Sequence, residues 1–189
     1  RSQDTLKSKN FLEEIIGQPV NAFRAPGFSI TERNIWALEV LAELGFEYDC
    51  SLFPASHDYG GFASYGNAEP AKLHLPNGAV LKEFPINIIK IAGKNIVFSG
   101  GGFFRLFPYL LVRYWTKHST YVMTYFHPRD FDPDQPVIES LPLLRKLKSY
   151  VGLKHSFGKF QNMLDDFDFI TVEQADKLID WEKAKKLNL

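Results

Sequence analysis

The sequence predicts an α/β fold, a sheet or barrel of alternating strands and helices with a β-hairpin inserted in the middle. An extended segment at 20–26, a helical segment at 35–44 and a second extended segment at 46–53 follow one another with short joints, which is the βαβ pattern of parallel strands. Asn77 and Gly78 separate two apolar runs, which is a strong hairpin signal. Together these observations favour a parallel sheet that carries an antiparallel addition.

The N-terminal part contains two predicted helices. Apolar residues between 6 and 16 recur at helical spacing, and Gly17 supplies a C-terminal stop. Ser29 and Glu32 match a capping box, so the second helix is predicted to be opened by Ser29 and to end at Gly45. Strand, helix and strand in this order predict a right-handed crossover.

The rest of the chain alternates between strands and helices around a long loop. Residues 54–71 are rich in Gly, Ser and Pro and predict a loop of the functional or mobile kind. The later elements are predicted as a hairpin at 72–85, a strand pair at 86–99 that turns near Gly93, a glycine run at 99–102 leading into an apolar helix, a strand at 119–128, helices near 137–150 and 156–166, a strand at 168–172 and a last helix from Glu173.

Composition excludes several classes of protein. Of the 189 residues, 45% are hydrophobic and 23% are charged, which is enough for one packed domain and rules out a disordered chain. Basic and acidic residues number 22 each, so no sequence-wide field attracts nucleic acid or an anionic membrane, and a charged partner must be met locally. Cys50 is the single cysteine, which excludes an internal disulfide framework and a Cys-rich metal site. No stretch approaches the roughly 20 apolar residues that span a bilayer.

Three polar residues lie at the ends of predicted strands. Ligands of α/β folds bind at the carboxyl ends of the strands, and this rule selects Arg24, Asp49 and His127. Each residue has a structural alternative: Arg24 as a surface arginine at a strand end, Asp49 as a cap, and His127 as a hydrogen-bonded polar group at a sheet edge. Asp130 and Asp132 follow His127 and form either a metal cluster with it or, as we favour, solvated turn residues.

The glycine run is a weaker signal. Exposed backbone amides at 99–102, ahead of a helix, are compatible with phosphate binding and leave a nucleotide-dependent enzyme as a rival interpretation. The run matches neither of the glycine-rich nucleotide motifs, and glycines that turn tightly beside packed aromatic residues explain it better. Ser29 and Ser51 lack the motif of serine hydrolases, and Cys50 lacks any local signature of a nucleophile.

Five segments in order resemble one enzyme family. The segments F-R-A-P-G-F-S, E-Y-D-C-S-L-F-P, K-E-F-P, S-G-G-G-F-F-R-L-F-P and T-Y-F-H-P-R-D are similar to those of the polysaccharide deacetylases with a NodB-homology domain, carbohydrate esterase family 4. The subgroup associated with bacterial exopolysaccharide clusters is the most similar. The resemblance runs from about residue 5 to residue 175. It implies a distorted (β/α) barrel, a divalent metal that is usually zinc, and hydrolysis of N-acetyl groups on an acetylated polysaccharide.

The resemblance assigns catalytic and binding residues. Arg24 and Pro26 match the third motif of the family, whose arginine orients the catalytic aspartate. Asp49 matches the fourth motif, which supports the catalytic histidine, and His127 matches the fifth as the general acid. Tyr125 stands where the family usually has leucine. The residues expected to contact substrate are Pro26, Phe28, Ser51, Phe53, Tyr125 and Phe126.

Two family motifs are missing from the sequence. The first carries the catalytic base and a metal-binding Asp and the second carries two His ligands, and both would lie upstream of Arg1. We therefore expect a single, N-terminally incomplete domain over residues 1–189, without the first strands of the barrel and without metal ligands of its own, completed by an upstream segment or another chain. We expect a soluble protein of the bacterial cytoplasm or periplasm. The alternative is a catalytically inactive glycan-binding or assembly protein of the same fold.

Overall fold

The computed structural model describes residues 2–56 and 60–189. Arg1 and residues 57–59 lie outside the described residues, and so do the corresponding positions of the first predicted helix and of the loop predicted at 54–71. The chain divides into two units. Unit 1 comprises the residues up to Ile86 together with Thr171–Leu189, and unit 2 comprises Asn87–Ile170. The single domain predicted for residues 1–189 stays a prediction.

The described chain opens with alternating helices and strands, continues with a run of strands, and then has a run of helices before one last strand. The helices are α1 (Ser2–Ile16), α2 (Trp36–Glu43), α3 (Gly101–Leu106), α4 (Tyr109–Lys117), α5 (Leu143–Tyr150), α6 (Leu153–Asp166) and α7 (Val172–Leu178). The strands are β1 (Ala22–Phe23), β2 (Tyr48–Asp49), β3 (Ala71–His74), β4 (Val80–Glu83), β5 (Ile89–Ile91), β6 (Lys94–Ile96) and β7 (Lys185–Asn188). Short 3₁₀ helices lie at Pro26–Phe28, Ala63–Tyr65 and Pro128–Phe131. Among the described residues, no helix has the length and apolarity needed to cross a bilayer.

Unit 1 is built on a five-stranded mixed sheet in the order β1, β2, β4, β3, β7. The pairs β1–β2, β2–β4 and β3–β7 are parallel, and β3–β4 is antiparallel. Helix α2 connects β1 to β2, so the predicted βαβ unit is confirmed. Leu38 and Leu41 of α2 are buried in one core with Leu73 and Leu81 of the hairpin. In the described part of the chain the sheet is open, so the α/β class is confirmed and the barrel stays a prediction.

Both predicted strand pairs are present. In the β3–β4 hairpin Gly78 adopts a positive φ of 84°, and the side chain of Asn77 accepts a hydrogen bond from the backbone N–H of Ala79 at 3.0 Å. Strands β5 and β6 form a separate two-stranded sheet whose turn contains Gly93 at a φ of 78°. Glycine adopts these left-handed angles without the penalty that a Cβ imposes, which explains why the turn signals were reliable.

Unit 2 packs helices around aromatic side chains. Phe104 of α3, Val112 of α4 and Met163 of α6 are fully buried together with Phe98. The apolar helix predicted after the glycine run is two helices, because Pro108 holds the preceding Phe107 in an extended conformation with ψ at 145°.

Three local predictions are wrong. Residues 119–128 form one isolated bridge between Tyr125 and Gly100 rather than a strand, because hydrogen bonds with the side chains of Asn87 and Ser99 take the place of a continuous ladder. The segment 168–172 forms no strand and supplies Thr171, which caps α7 by accepting from the backbone N–H of Gln174. The predicted Ser29 cap is replaced by a later start at Trp36. The last helix predicted from Glu173 is confirmed by α7, and strand β7, which was not predicted, follows it.

Candidate functional site

The end of β2 carries a buried pair of carboxyl groups. Asp49 of β2 lies in register with Glu83 of the neighbouring parallel strand β4, so both side chains leave the sheet on the same face. Both residues are completely buried, and their carboxyl groups lie close enough for each to shift the pKa of the other. We call Asp49 and Glu83 the carboxyl pair.

Neighbouring groups fix the carboxyl pair in place. Asp49 Oδ1 accepts a hydrogen bond from the hydroxyl of Ser51 at 2.5 Å, and that hydroxyl in turn accepts from the backbone N–H of Ala25 at 2.7 Å. Glu83 Oε1 accepts from the backbone N–H of Leu52 at 3.0 Å. The other oxygens, Oδ2 and Oε2, receive no donor from the described residues, so a proton carried by one of the two carboxyl groups is the donor that the pair still needs.

The carboxyl pair holds a proton more tightly than ordinary acids do. Burial raises the pKa of Asp49, and burial, followed by the nearby Asp49 carboxylate, raises the pKa of Glu83 well above its usual range. The hydroxyl of Ser51 donates to Asp49 and stabilises its charged form, whereas the neighbouring Asp49 raises the pKa of Glu83 further. We therefore infer that Glu83 is the member of the carboxyl pair that holds the proton.

Arg24 lies beside the carboxyl pair at the end of β1. Its Nε donates to the carbonyl oxygen of Cys50 at 3.3 Å, and its guanidinium carbon lies 5.9 Å from the centre of the Phe28 ring. Phe28 itself has a positive φ of 52°, a rare conformation for a bulky residue, and contacts Phe53 edge to face at 6.0 Å. Backbone strain of this kind persists only where the surroundings enforce it, and it is frequent at functional sites.

An open groove adjoins these residues. Its volume is about 400 Å³, and Arg24 and the exposed Pro26 line one side while Lys9 and Leu12 of α1 line the other. Arg24 and Pro26 thus reach solvent, whereas Ser51 is fully buried with its hydroxyl held by Ala25 and Asp49.

His127 occupies the corresponding position in unit 2, at the end of the 119–128 segment. Its imidazole is half exposed, and Nε2 lies 2.9 Å from the hydroxyl of Tyr125, whose ring it meets edge to face. Nδ1 lies 3.5 Å from Oδ2 of Asp130, at the limit for a hydrogen bond, so this contact is electrostatic in character. The backbone N–H of His127 also donates to Asp130 Oδ2 at 2.9 Å. The imidazole is thereby held between a phenol and a carboxylate.

Asp130 is buried, so the favoured interpretation of Asp130 as a solvated turn residue is wrong, while Asp132 is exposed as that interpretation predicts. Asp130 Oδ1 lies 3.2 Å from Nε of the buried Arg105, without the direction of a hydrogen bond, so the pair is ionic. Burial lowers the pKa of Arg105, and the carboxylate of Asp130 opposes this shift. Arg105 thus compensates the charge of the carboxylate that faces His127.

The glycine run lies against the segment that carries His127. Gly100 forms a parallel bridge with Tyr125, and a Cβ at position 100 would overlap the carbonyl oxygen of Tyr125. Close backbone approach therefore explains Gly100 and supports the tight-turn interpretation of this run.

Replacement of Gly100 by Ala is expected to destabilise the protein. The added methyl group forces the two backbones apart, and overpacking of this kind costs about 1–3 kcal/mol or more. Urea denaturation provides the measurement. Gly158→Ala is the matched control, because this helical position has open space around it and the change is expected to stabilise α6 by about 0.5–1 kcal/mol. Equal losses in both variants would contradict the close approach.

The described residues do not fit a resident metal ion. No group of three or more His, Cys, Asp or Glu side chains within 2–56 and 60–189 is arranged to hold one. The carboxyl pair is completely buried and the pKa of each member is raised, and His127 faces one carboxylate. The zinc implied by the resemblance therefore has no set of ligands in this part of the chain.

The structure places the candidate residues in two groups, each within one unit. Arg24, Asp49, Ser51, Phe28 and Phe53 lie in unit 1, and Tyr125, Phe126 and His127 lie in unit 2. Phe126 packs against Phe104, Phe131 and Phe160 in the aromatic core of unit 2.

Sequence analysis missed Glu83 and Arg105 as partners of the candidate residues, and it named Asp130 but favoured a solvated turn for it. Each lies inside a segment that carried the family resemblance, and a charge next to aromatic residues, as in K-E-F-P and F-F-R-L-F, was the available signal.

The fold and these two groups define the class of protein. It is a mixed α/β protein with ionisable side chains at the end of strand β2 and at the end of the extended segment 119–128. The chain belongs to the family described as domain of unknown function DUF3473, which matches residues 50–177. No curated protein and no solved structure matches the chain.

Proposed function

We propose that this chain serves in the hydrolysis of N-acetyl groups on an acetylated polysaccharide, with His127 as the general acid. The DUF3473 family is associated with polysaccharide deacetylases, and this association supports the reaction class. The observation that carries the assignment is the half-exposed imidazole of His127, held between the hydroxyl of Tyr125 and the carboxylate of Asp130. A general acid must be accessible to substrate and oriented by a neighbour, and His127 satisfies both conditions.

The chemical need for an acid follows from the leaving group. Once water has added to the acetamide carbon, the C–N bond breaks and its electron pair goes to nitrogen, which must receive a proton to leave as an amine. His127 supplies that proton from Nε2, and the substrate nitrogen takes the place of the Tyr125 hydroxyl. Asp130 lies on the other side of the ring and stabilises the positive charge of the protonated imidazole.

The other assigned residues act by positioning. Arg24 binds the carbonyl of Cys50, and Asp49 orders Ser51 from within the buried carboxyl pair. Zinc and the base that activates water belong to motifs outside this sequence in the resembled family, so the proposal assigns to this chain only the proton transfer and the positioning of strand ends.

Replacement of His127 by Ala is expected to lower kcat for acetate release from an acetylated oligosaccharide by about 100-fold or more, the usual contribution of a positioned general acid. The measurement uses the complete gene product that contains this chain. An aryl acetate ester, whose phenolate leaves without a proton, should lose far less activity in the same variant. The contrast between amide and ester tests proton donation rather than folding.

His118→Ala is the matched control, because His118 is also exposed and lies 4.1 Å from a tyrosine ring, that of Tyr114. This variant should keep full activity. A gene product that releases no acetate, or a His127→Ala enzyme with normal kcat and a raised KM, would overturn the proposal. The first result would favour the alternative of a catalytically inactive glycan-binding protein. The second would mean that His127 and Tyr125 contact the sugar without transferring a proton.

A further inference from the structure

Helix α5 presents its apolar residues to solvent rather than to the core. Leu143 and Leu144 are each 74% exposed and Leu147 is 55% exposed. At 100° per residue these leucines share one face of the helix. Lys146, Ser149 and Tyr150 are the half-buried residues of the helix, and they flank the leucine face on the side of Leu143. The amphipathic helix is therefore turned outward.

Polar contacts hold α5 in this orientation. The buried guanidinium of Arg105 donates to the carbonyl oxygens of Lys148 at 2.9 Å and Ser149 at 2.7 Å, at the C-terminal end of the helix. The hydroxyl of Tyr150 accepts from the N–H of Ile138 at 2.9 Å and donates to the carbonyl of Pro136 at 3.1 Å. These contacts fix the leucine face outward, so its exposure is a property of the fold.

The local charge around the leucine face is positive. Residues 140–158 contain four cations, Arg145, Lys146, Lys148 and Lys154, and no Asp or Glu, in a chain whose net charge is zero. Arg145 and Lys148 are exposed and lie on the helix next to Leu144. Glu139 is the acid that immediately precedes this stretch.

We propose that α5 is a peripheral membrane-binding helix that inserts Leu143, Leu144 and Leu147 into the surface of an anionic lipid bilayer. An amphipathic helix with leucines on one face and basic residues beside them lies in the interface, with its apolar face at the acyl chains and its cations at the lipid phosphates. A second copy of this chain fits less well, because joining two such faces would bring like charges together. The proposal does not depend on acetyl hydrolysis.

The test is sedimentation of the complete gene product with vesicles. Vesicles that contain phosphatidylglycerol should bind the protein, vesicles of pure phosphatidylcholine should bind it weakly, and added salt should reduce binding. The variant Leu143→Ser/Leu144→Ser/Leu147→Ser is expected to bind the anionic vesicles at least about tenfold more weakly, and Arg145→Gln/Lys148→Gln about tenfold or more. In a separate reporter, Leu144→Trp, indole fluorescence should shift to the blue when anionic vesicles are added.

Leu178→Ser is the matched control, since Leu178 of α7 is 77% exposed and lies outside α5. It should bind vesicles as the unchanged protein does. Thermal unfolding checks that the triple variant is folded, and a folded triple variant is expected because its leucines are exposed. Three outcomes would overturn the proposal: no binding to anionic vesicles, equal binding by the triple variant, or a dimer in solution that the triple substitution dissociates. A fourth outcome would also overturn it: a soluble acidic polysaccharide binds the protein and abolishes vesicle binding, and Leu144→Trp shows no blue shift with anionic vesicles. The cations would then be assigned to glycan binding.

Discussion

Replacement of Arg105 by Met is expected to lower the free energy of unfolding by about 3–5 kcal/mol, the usual cost of leaving one partner of a buried ion pair alone. Asp130 would stay buried without its cation, and the carbonyl oxygens of Lys148 and Ser149 would lose their donors. Methionine has a similar length, so loss of volume contributes little. Urea denaturation monitored by circular dichroism measures the change.

Two further variants separate the causes of this loss. Arg113→Met removes an exposed arginine that pairs with Asp166 in the same unit, and surface pairs contribute about 1 kcal/mol or less. Arg105→Met/Asp130→Asn removes the buried charge together with its partner and is expected to recover more than half of the deficit. A single variant as stable as the unchanged protein would show that Arg105 is dispensable, and failure of the double variant to recover would assign the loss to the carbonyl oxygens of α5.

Local sequence signals predicted the parts of the fold that local chemistry determines. The hairpin at Asn77 and Gly78, the turn at Gly93 and the βαβ unit all depend on residues close together in the chain, and all three are present. Strand β7 was missed because it is short, contains a single apolar residue, Leu187, and forms only through pairing with β3 more than 100 residues earlier. The segment 119–128 failed for the opposite reason, since its composition suits a strand but its backbone has one bridge partner among the described residues.

The candidate site shows the same limit. Position at strand ends selected Asp49 and His127 from the sequence, whereas their carboxyl partners could not be assigned. Glu83 is placed beside Asp49 by the register between two strands, and register is set by the whole sheet rather than by any local pattern. Asp130 follows His127 closely, but its burial depends on Arg105, which lies 25 residues earlier. Ionisable pairs of this kind need the three-dimensional arrangement.

Replacement of Glu83 by Ala is expected to destabilise the protein by about 3 kcal/mol or more, since it leaves buried polar groups unsatisfied and opens a cavity. The backbone N–H of Leu52 would lose its acceptor, and Asp49 would lose the carboxyl group that lies next to it. Glu83→Gln is the informative comparison, because the amide keeps the shape, accepts from Leu52 and donates to Asp49. That variant should lie within about 1 kcal/mol of the unchanged protein at neutral pH. Glu182→Ala, at an exposed glutamate of unit 1, should change little.

The pH dependence tests the proton itself. Because burial raises the pKa of Glu83 in the folded state, the folded protein keeps a proton that the unfolded chain releases above about pH 4. Stability from this group is therefore complete below that pH and declines as pH rises, by up to about 1.4 kcal/mol per pH unit, until the raised folded-state pKa is passed. Other carboxylates, such as Asp176, whose pKa is lowered, make the free energy of unfolding rise with pH instead. The measurement is therefore the difference in the free energy of unfolding between Glu83→Gln and the unchanged protein. Around the carboxyl pair the nearby ionisable groups are Arg24 and Cys50, and both are present in either protein. Glu83→Gln should consequently gain stability relative to the unchanged protein as pH increases from 5 toward 8, and parallel stability curves would mean that Glu83 is ionised in the folded state.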